Sequence, residues 1–191
     1  MIHFEQQPEP LDFDERCRKR GNRWLDEHPG NDRPKDYWSE FKKPLANGFS
    51  DLCAYTVMYA PNGTVDHYLS CKNYRHLAFE WSNYRFCADW LNKSKMNADD
   101  SVLDPFEVQE GWFEILLPSL QMVITDIVPE HLREKAQYTL IRLHLRDDER
   151  VIRQRRKWYE MYQNNKLTLE GLRDVAPLIA AAVENQLDGQ G

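Results

Sequence analysis

Residues 64–95 of the chain read TVDHYLSCKNYRHLAFEWSNYRFCADWLNKSK. Thr64 to Leu69 are β-branched, aromatic and polar in a pattern that is typical of a strand. Trp81 to Lys95 are predicted to form a helix, and the residues from Ser70 to His76 are predicted to form a loop. This segment therefore contains a predicted strand and a predicted helix that are close together in the sequence. A few polar side chains lie at the end of the strand and on one face of the helix.

A further strand is expected just before this segment. Residues 52–59 read LCAYTVMY, an aromatic and β-branched run, and the turn-forming residues Ala-Pro-Asn-Gly follow at 60–63. Two strand-like runs that are joined by a Pro-Asn-Gly connection predict a β-hairpin. The expected local order is strand, strand and helix.

The polar side chains of this segment are of the types that phosphodiester hydrolysis needs. Asp66 and His67 end the predicted strand, and Asn92 and Lys95 are separated by one helical turn, so both project from one helix face. Carboxylate and amide oxygens suit Mg²⁺, and an imidazole can take a proton from water near neutral pH. A cation, a base and an ammonium group together form the minimal set for this chemistry.

The same residues resemble the motif of the HNH (ββα-metal) endonuclease family. The resemblance rests on Asp66-His67 at a strand end, on Asn83 within Trp-Ser-Asn, and on Asn92 nine positions later with Lys95 beyond it. It implies an α+β fold with a ββα-metal core, in which His67 is the general base. Asp66 and Asn92 would bind one Mg²⁺ or Mn²⁺ ion. Asn83 would fix the loop that orients the base, and Lys95 would assist electrostatically.

Many members of that family frame this core with two pairs of zinc-binding cysteines. The corresponding positions here are Cys53, Thr56, Ala88 and Leu91, and only one of them is a cysteine. We therefore expect a core without structural zinc. Aromatic side chains are expected to hold it instead; the candidates are Tyr55, Trp81, Phe86 and Trp90. The four cysteines of the chain include no Cys-x-x-Cys pair, which favours free thiols in a reducing compartment.

The predicted core at residues 48–104 is flanked by two regions of different character. Residues 1–47 form a polar N-terminal extension with two short predicted helices. Residues 105–191 are predicted to form a second β-hairpin from the runs WFEILLP and LQMVITDI, followed by helices with a break at Pro177. The predicted fold class is α+β with a helical C-terminal half.

Three short runs downstream extend the resemblance to one branch of the family. They are VLDPF at 102–106, TLIRLHL at 139–145 and an arginine-rich predicted helix at 147–162. Similar features occur in the HNH subunit of Septu-type anti-phage defence systems and in its retron-associated relatives, where the nuclease works with an ATPase. The resemblance therefore implies an ATPase as a partner protein.

The charge of the chain restricts how it could contact nucleic acid. A formal net charge of -6 argues against a stand-alone, sequence-blind binder, which usually carries a basic face. Contact with DNA, or with RNA, is expected through a small basic patch or through the partner. The candidates for phosphate contacts are Arg153, Arg156 and Lys93. No apolar stretch has the length of a membrane span and the N-terminus has no signal-peptide pattern, so a cytoplasmic protein is expected.

Each candidate residue also has a structural interpretation. Asp66-His67 alone could be a polar strand end, Asn83 could cap a helix, and Asn92 and Lys95 could be solvated. Their combination in one order favours a metal-dependent endonuclease that hydrolyses phosphodiester bonds in DNA. The alternative is a catalytically inactive HNH-like adaptor that binds nucleic acid or the ATPase.

Overall fold

The computed structural model describes residues 1–189, and its secondary structure is mixed α and β. It contains two antiparallel sheets of two strands each. The α+β fold class predicted from the sequence is confirmed at this level. The helices and strands are, in chain order, α1 (Lys19–Glu27, after a π-helical turn at Asp14–Arg18), α2 (Lys42–Gly48), β1 (Thr64–His67), β2 (Tyr84–Cys87), α3 (Asp89–Lys95), β3 (Phe113–Leu116), β4 (Gln121–Ile124), α4 (Glu130–Arg142), α5 (Glu149–Gln163), α6 (Leu169–Val175) and α7 (Pro177–Asp188).

The first sheet differs from the prediction in its second strand. β1 pairs with β2, and His67 lies opposite Tyr84. The run at 52–59, which was expected to be the partner of β1, turns back on itself instead. Val57 has a left-handed φ of 55°, and its N–H donates to the carbonyl of Cys53 at 2.9 Å. A buried turn and a buried strand carry the same kind of apolar run, so periodicity alone could not separate them.

The helix that was predicted from Trp81 begins only at Asp89. Residues 81–83 form a 3₁₀ turn, and residues 84–87 form β2. All four residues of β2 are buried, so the strand lacks the alternation of polar and apolar side chains that marks a half-buried strand. The observed local order is therefore β1, a loop, β2 and α3.

The second sheet and the C-terminal helices agree with the prediction. β3 and β4 form the expected hairpin. α6 ends before Ala176, and α7 begins at Pro177, because proline fits the first turn of a helix but interrupts its interior. No helix within residues 1–189 is long and apolar enough to cross a membrane.

One hydrophobic cluster receives residues from all three predicted regions of the chain. Phe13 of the N-terminal extension is fully buried, with its ring 5.4 Å from Trp81 and 5.8 Å from Tyr84. Leu140 and Ile179 of the C-terminal region belong to the same cluster. The N-terminal extension is therefore part of the wall around β1 and β2.

α1 packs directly on the loop between β1 and β2. The contact is at Gly21, where a Cβ atom would overlap the ring of Phe79. At the preceding turn of the chain, Arg18 donates from Nε to Glu80 at 3.1 Å. A glycine is required at this position because the two elements approach too closely for any side chain.

Candidate active site at the end of β1

His67 is the last residue of β1 and is half-buried between two aromatic rings. Its ring centroid lies 4.6 Å from that of Trp38 and 5.0 Å from that of Tyr84, and both pairs are edge-to-face. Nε2 lies 2.8 Å from the carbonyl oxygen of Ala78. A carbonyl can only accept, so Nε2 carries the proton, and Nδ1 of the neutral ring has a free lone pair. Burial lowers the pKa of His67, which favours this neutral form.

Asn83 closes the loop that carries Ala78. Its Oδ1 accepts from the N–H of Leu69 at 2.8 Å, and its Nδ2 donates to the carbonyls of Leu69 at 2.9 Å and of Leu77 at 3.1 Å. The amide thus ties the start of the loop to the segment just before Ala78. Because Ala78 in turn holds the imidazole, Asn83 positions His67 indirectly. The predicted role of Asn83 in catalysis, which is to orient the base, stays a prediction.

Asp66 points into the protein and forms a buried ion pair. The residue is 1% exposed. Oδ1 lies 3.2 Å from Nζ of Lys95, and Oδ2 accepts from the hydroxyl of Tyr55 at 2.8 Å. Burial, together with the neighbouring carboxylate, raises the pKa of Tyr55, so its hydroxyl stays protonated and donates. Tyr55 was expected only as a packing residue.

Lys95 uses all of its donors inside the protein. Its Nζ donates to Asp66, to the carbonyl of His67 at 2.8 Å and to the carbonyl of Tyr68 at 2.9 Å, and the side chain is 0% exposed. An ammonium group has three N–H donors, and each has a partner here. Lys95 therefore fastens α3 to the end of β1. Desolvating two charges is expensive, and only a fully hydrogen-bonded pair of this kind offsets that cost.

Asn92 lies beside the same strand, one turn before Lys95 on α3. Its Nδ2 donates to the carbonyl of Val65 at 3.1 Å. Asn92 thus contacts the backbone of β1 next to Asp66, and its predicted role as a metal ligand stays a prediction. The spacing could not show which of these groups bond to one another.

In this arrangement the residues do not fit the predicted magnesium site. Both oxygens of Asp66 already accept hydrogen bonds, and the positive charge of Lys95 lies where a cation on Oδ1 would have to approach. Within residues 1–189 no group of three or more His, Cys, Asp or Glu side chains could hold a metal ion.

The three predicted phosphate contacts lie outside this centre. Arg153 and Arg156 are exposed on α5. Lys93 is exposed on α3, but its Nζ pairs with Asp89 at 2.5 Å. One link to the site exists through Arg150 of α5, whose guanidinium lies 4.2 Å from the ring centroid of Trp90 on α3. The role of Arg153, Arg156 and Lys93 in binding nucleic acid stays a prediction.

No protein-family model matches the chain, and a search of curated proteins finds no match. The function is therefore inferred from the geometry of the site.

Proposed function

We propose that the chain is an HNH-type endonuclease that hydrolyses phosphodiester bonds in DNA, with His67 as its general base. One observation carries the proposal. His67 is held at a strand end by Ala78 with its proton on Nε2, so that Nδ1 is left as a neutral acceptor. A general base must be unprotonated at the working pH and fixed in direction, and both conditions are met.

The surrounding elements support an HNH core. β1, β2 and α3 follow one another in a strand–strand–helix order, although the partner of β1 is residues 84–87 and not the predicted run at 52–59. Asn83 holds the loop behind the base. In the proposed reaction Nδ1 takes a proton from water as the oxygen attacks phosphorus in line, and the leaving 3′ oxygen departs on the opposite side. Lys95 contributes by fixing the strand end, through the carbonyl of His67.

The Mg²⁺ or Mn²⁺ ion that the resemblance implies remains a prediction. In the described arrangement the carboxylate of Asp66 is buried and paired with Lys95, so it is not open to a cation. The chain's own residues hold and orient the base without it. What a bound cation would add is stabilisation of the negative charge on the phosphate.

The buried pair of Asp66 and Lys95 favours a second candidate function. A carboxylate that is 1% exposed and already paired is typical of a structural group. The chain would then be an inactive HNH-like adaptor that binds nucleic acid or an ATPase partner. The two candidates differ in one respect, which is whether the purified protein cuts DNA.

Cleavage of supercoiled plasmid distinguishes them. The purified chain is assayed with Mg²⁺, with Mn²⁺ and with EDTA, alone and together with an ATPase as the predicted partner. We expect cutting, and we expect His67→Ala to reduce its rate by about 10² to 10⁴. His131→Ala is the matched control, because His131 is exposed on α4. Equal cutting by His67→Ala would overturn the assignment of the base, and DNA binding without cutting under every condition would support the adaptor.

A further inference from the structure

Three cations near His67 lack carboxylate partners among residues 1–189. They are Arg20 of α1, Lys35 of the segment that follows α1, and Arg75 of the loop between β1 and β2. Arg16, Arg18 and Lys19 beside them are all paired with carboxylates. These three side chains are therefore not held in ion pairs, although Asp32 and Asp36 lie close to Lys35 in the chain and the formal net charge is -6.

Each of these cations lies against an aromatic ring. The guanidinium of Arg20 lies 4.6 Å from the ring centroid of Tyr37, and Nζ of Lys35 lies 5.4 Å from it. The guanidinium of Arg75 lies 6.0 Å from the ring of Trp24. Such contacts hold the charged groups in place while they remain available to an anion.

Trp24 also begins a stack of parallel rings. The ring of His28 lies 4.4 Å from that of Trp24 with an interplanar angle of 9°, and Nδ1 of His28 lies 2.9 Å from the carbonyl of Trp24. Arg75 donates from Nη2 to the carbonyl of His28 at 2.5 Å. His28 is exposed, so it is the outer end of the stack.

This surface is continuous with the environment of His67. Tyr37 and Trp38 both pack against Phe79, at centroid distances of 6.1 Å and 5.8 Å, and Trp38 contacts His67 itself. Arg75 lies three residues before Ala78, whose carbonyl holds the imidazole. A ligand bound along these residues would thus lie on the wall of the candidate active site.

We propose that Arg20, Trp24, His28, Lys35, Tyr37 and Arg75, here called the α1 surface, bind single-stranded nucleic acid and lead it to His67. The inference rests on the proposed nuclease function, whose substrate it narrows. Cations bind the phosphates of single-stranded and of double-stranded nucleic acid alike. Stacking on a protein ring requires bases that are not already stacked in a duplex. The combination of free cations with an open-ended stack therefore favours a single strand.

Binding is tested without cleavage, by fluorescence anisotropy in EDTA with a labelled oligo(dT) and with the same strand in duplex. The variant Arg20→Glu/Lys35→Glu reverses two charges of the α1 surface. We expect it to weaken single-strand binding at least tenfold and to reduce the salt slope by about 1.4, at about 0.7 for each lost phosphate contact. The matched control is Lys43→Glu/Lys166→Glu, because these two exposed lysines are not part of the surface and their reversal changes the net charge by the same amount.

A second pair of variants tests the stack. His28→Ala is expected to weaken oligo(dT) binding about tenfold, with a smaller effect on the duplex, whereas exposed His131→Ala is expected to have none. Equal binding by the charge-reversal variant and its control would overturn the proposal. So would a wild-type protein that binds the duplex as tightly as the single strand.

The two proposals fail in distinguishable ways. Oligonucleotide binding that depends on the α1 surface, with no cutting of the plasmid and no cutting of the bound single strand in Mg²⁺ or Mn²⁺, would leave the binding inference standing and remove the nuclease function. Plasmid cutting that is unchanged in Arg20→Glu/Lys35→Glu would overturn the proposed role of the α1 surface and leave the nuclease function standing.

Discussion

At the scale of single residues, the structure separates two neighbours that the sequence presents as one motif. His67 faces aromatic rings and a backbone carbonyl, whereas Asp66 faces Lys95 and Tyr55. Adjacent residues of a strand point to opposite faces, so the sequence contained this difference. The sequence could not reveal that the ammonium of Lys95 lies beside Asp66. The spacing of residues along a helix shows which side chains share a face, but not which groups that face contacts.

The environment of His67 predicts how stability depends on pH. Burial lowers the pKa of His67 in the folded chain, whereas the unfolded value is about 6.5. Below that pH the unfolded chain binds a proton that the folded chain does not, so stability is lost as the pH falls from about 6.5 towards the folded value. We expect Tm to fall less between neutral and mildly acidic pH in His67→Gln, whose amide can still donate to Ala78.

The exposed His131 supplies the control for this measurement, since His131→Gln makes the same substitution without changing the surroundings of His67. Parallel Tm curves for the wild type and His67→Gln would show that the His67 proton does not contribute.

The ion pair of Asp66 and Lys95 predicts a non-additive pair of substitutions. Lys95→Met leaves a carboxylate buried without its cation, which is expected to cost about 3–5 kcal/mol of unfolding free energy. Asp66→Asn/Lys95→Met removes both charges and should recover part of that loss, as urea denaturation would measure. A double variant that is less stable by the full sum of the two single effects would mean that the groups act independently.

At the scale of elements, local sequence signals predicted the C-terminal half better than the core. The second hairpin and the break at Pro177 follow from turn residues and proline chemistry, which act locally. β2 and the turn at 52–58 are buried almost throughout, so their apolar runs do not distinguish strand, helix and turn. The pairing of β1 with β2 also closes a loop of 16 residues (68–83), which no local signal marks.

The packing of α1 on this loop predicts a loss of stability at Gly21 that does not occur at Gly30. Replacing glycine by alanine in an exposed part of a helix normally stabilises a protein. At Gly21 the added methyl group would overlap Phe79, so we expect Gly21→Ala to lower the free energy of unfolding by about 1–3 kcal/mol. Because Phe79 contacts Trp38 beside His67, oligonucleotide binding should weaken as well.

Gly30→Ala is the matched control, because no atom lies within 4 Å of a Cβ at that position. Urea denaturation should place it within about 0.5 kcal/mol of the wild type. A stabilised Gly21→Ala would show that α1 does not rest on the loop as described.

At the scale of the whole molecule, the predicted core at 48–104 shares its packing with both flanking regions. Phe49 packs between Phe4 and Phe106, at centroid distances of 4.8 Å and 5.7 Å. The N–H of Leu103 donates to the hydroxyl of Thr139 on α4 at 2.8 Å. The sequence could not indicate this shared packing. The composition changes near residues 47 and 104, which suggested boundaries there, but contacts between residues far apart in the chain do not affect composition.

This sharing predicts that a fragment of residues 48–104 does not fold alone. Without Phe4, Phe13 and Phe106 its aromatic residues lose the partners that bury them, and a chain this short has little other apolar surface to bury. We expect the fragment to show no cooperative urea transition. The full chain should unfold in one transition by both tryptophan fluorescence and far-UV circular dichroism, because Trp24 and Trp158 lie on elements that pack on the same cluster. A dispersed amide NMR spectrum from the fragment would instead make 48–104 an independent domain, with the α1 surface as an appendage to it.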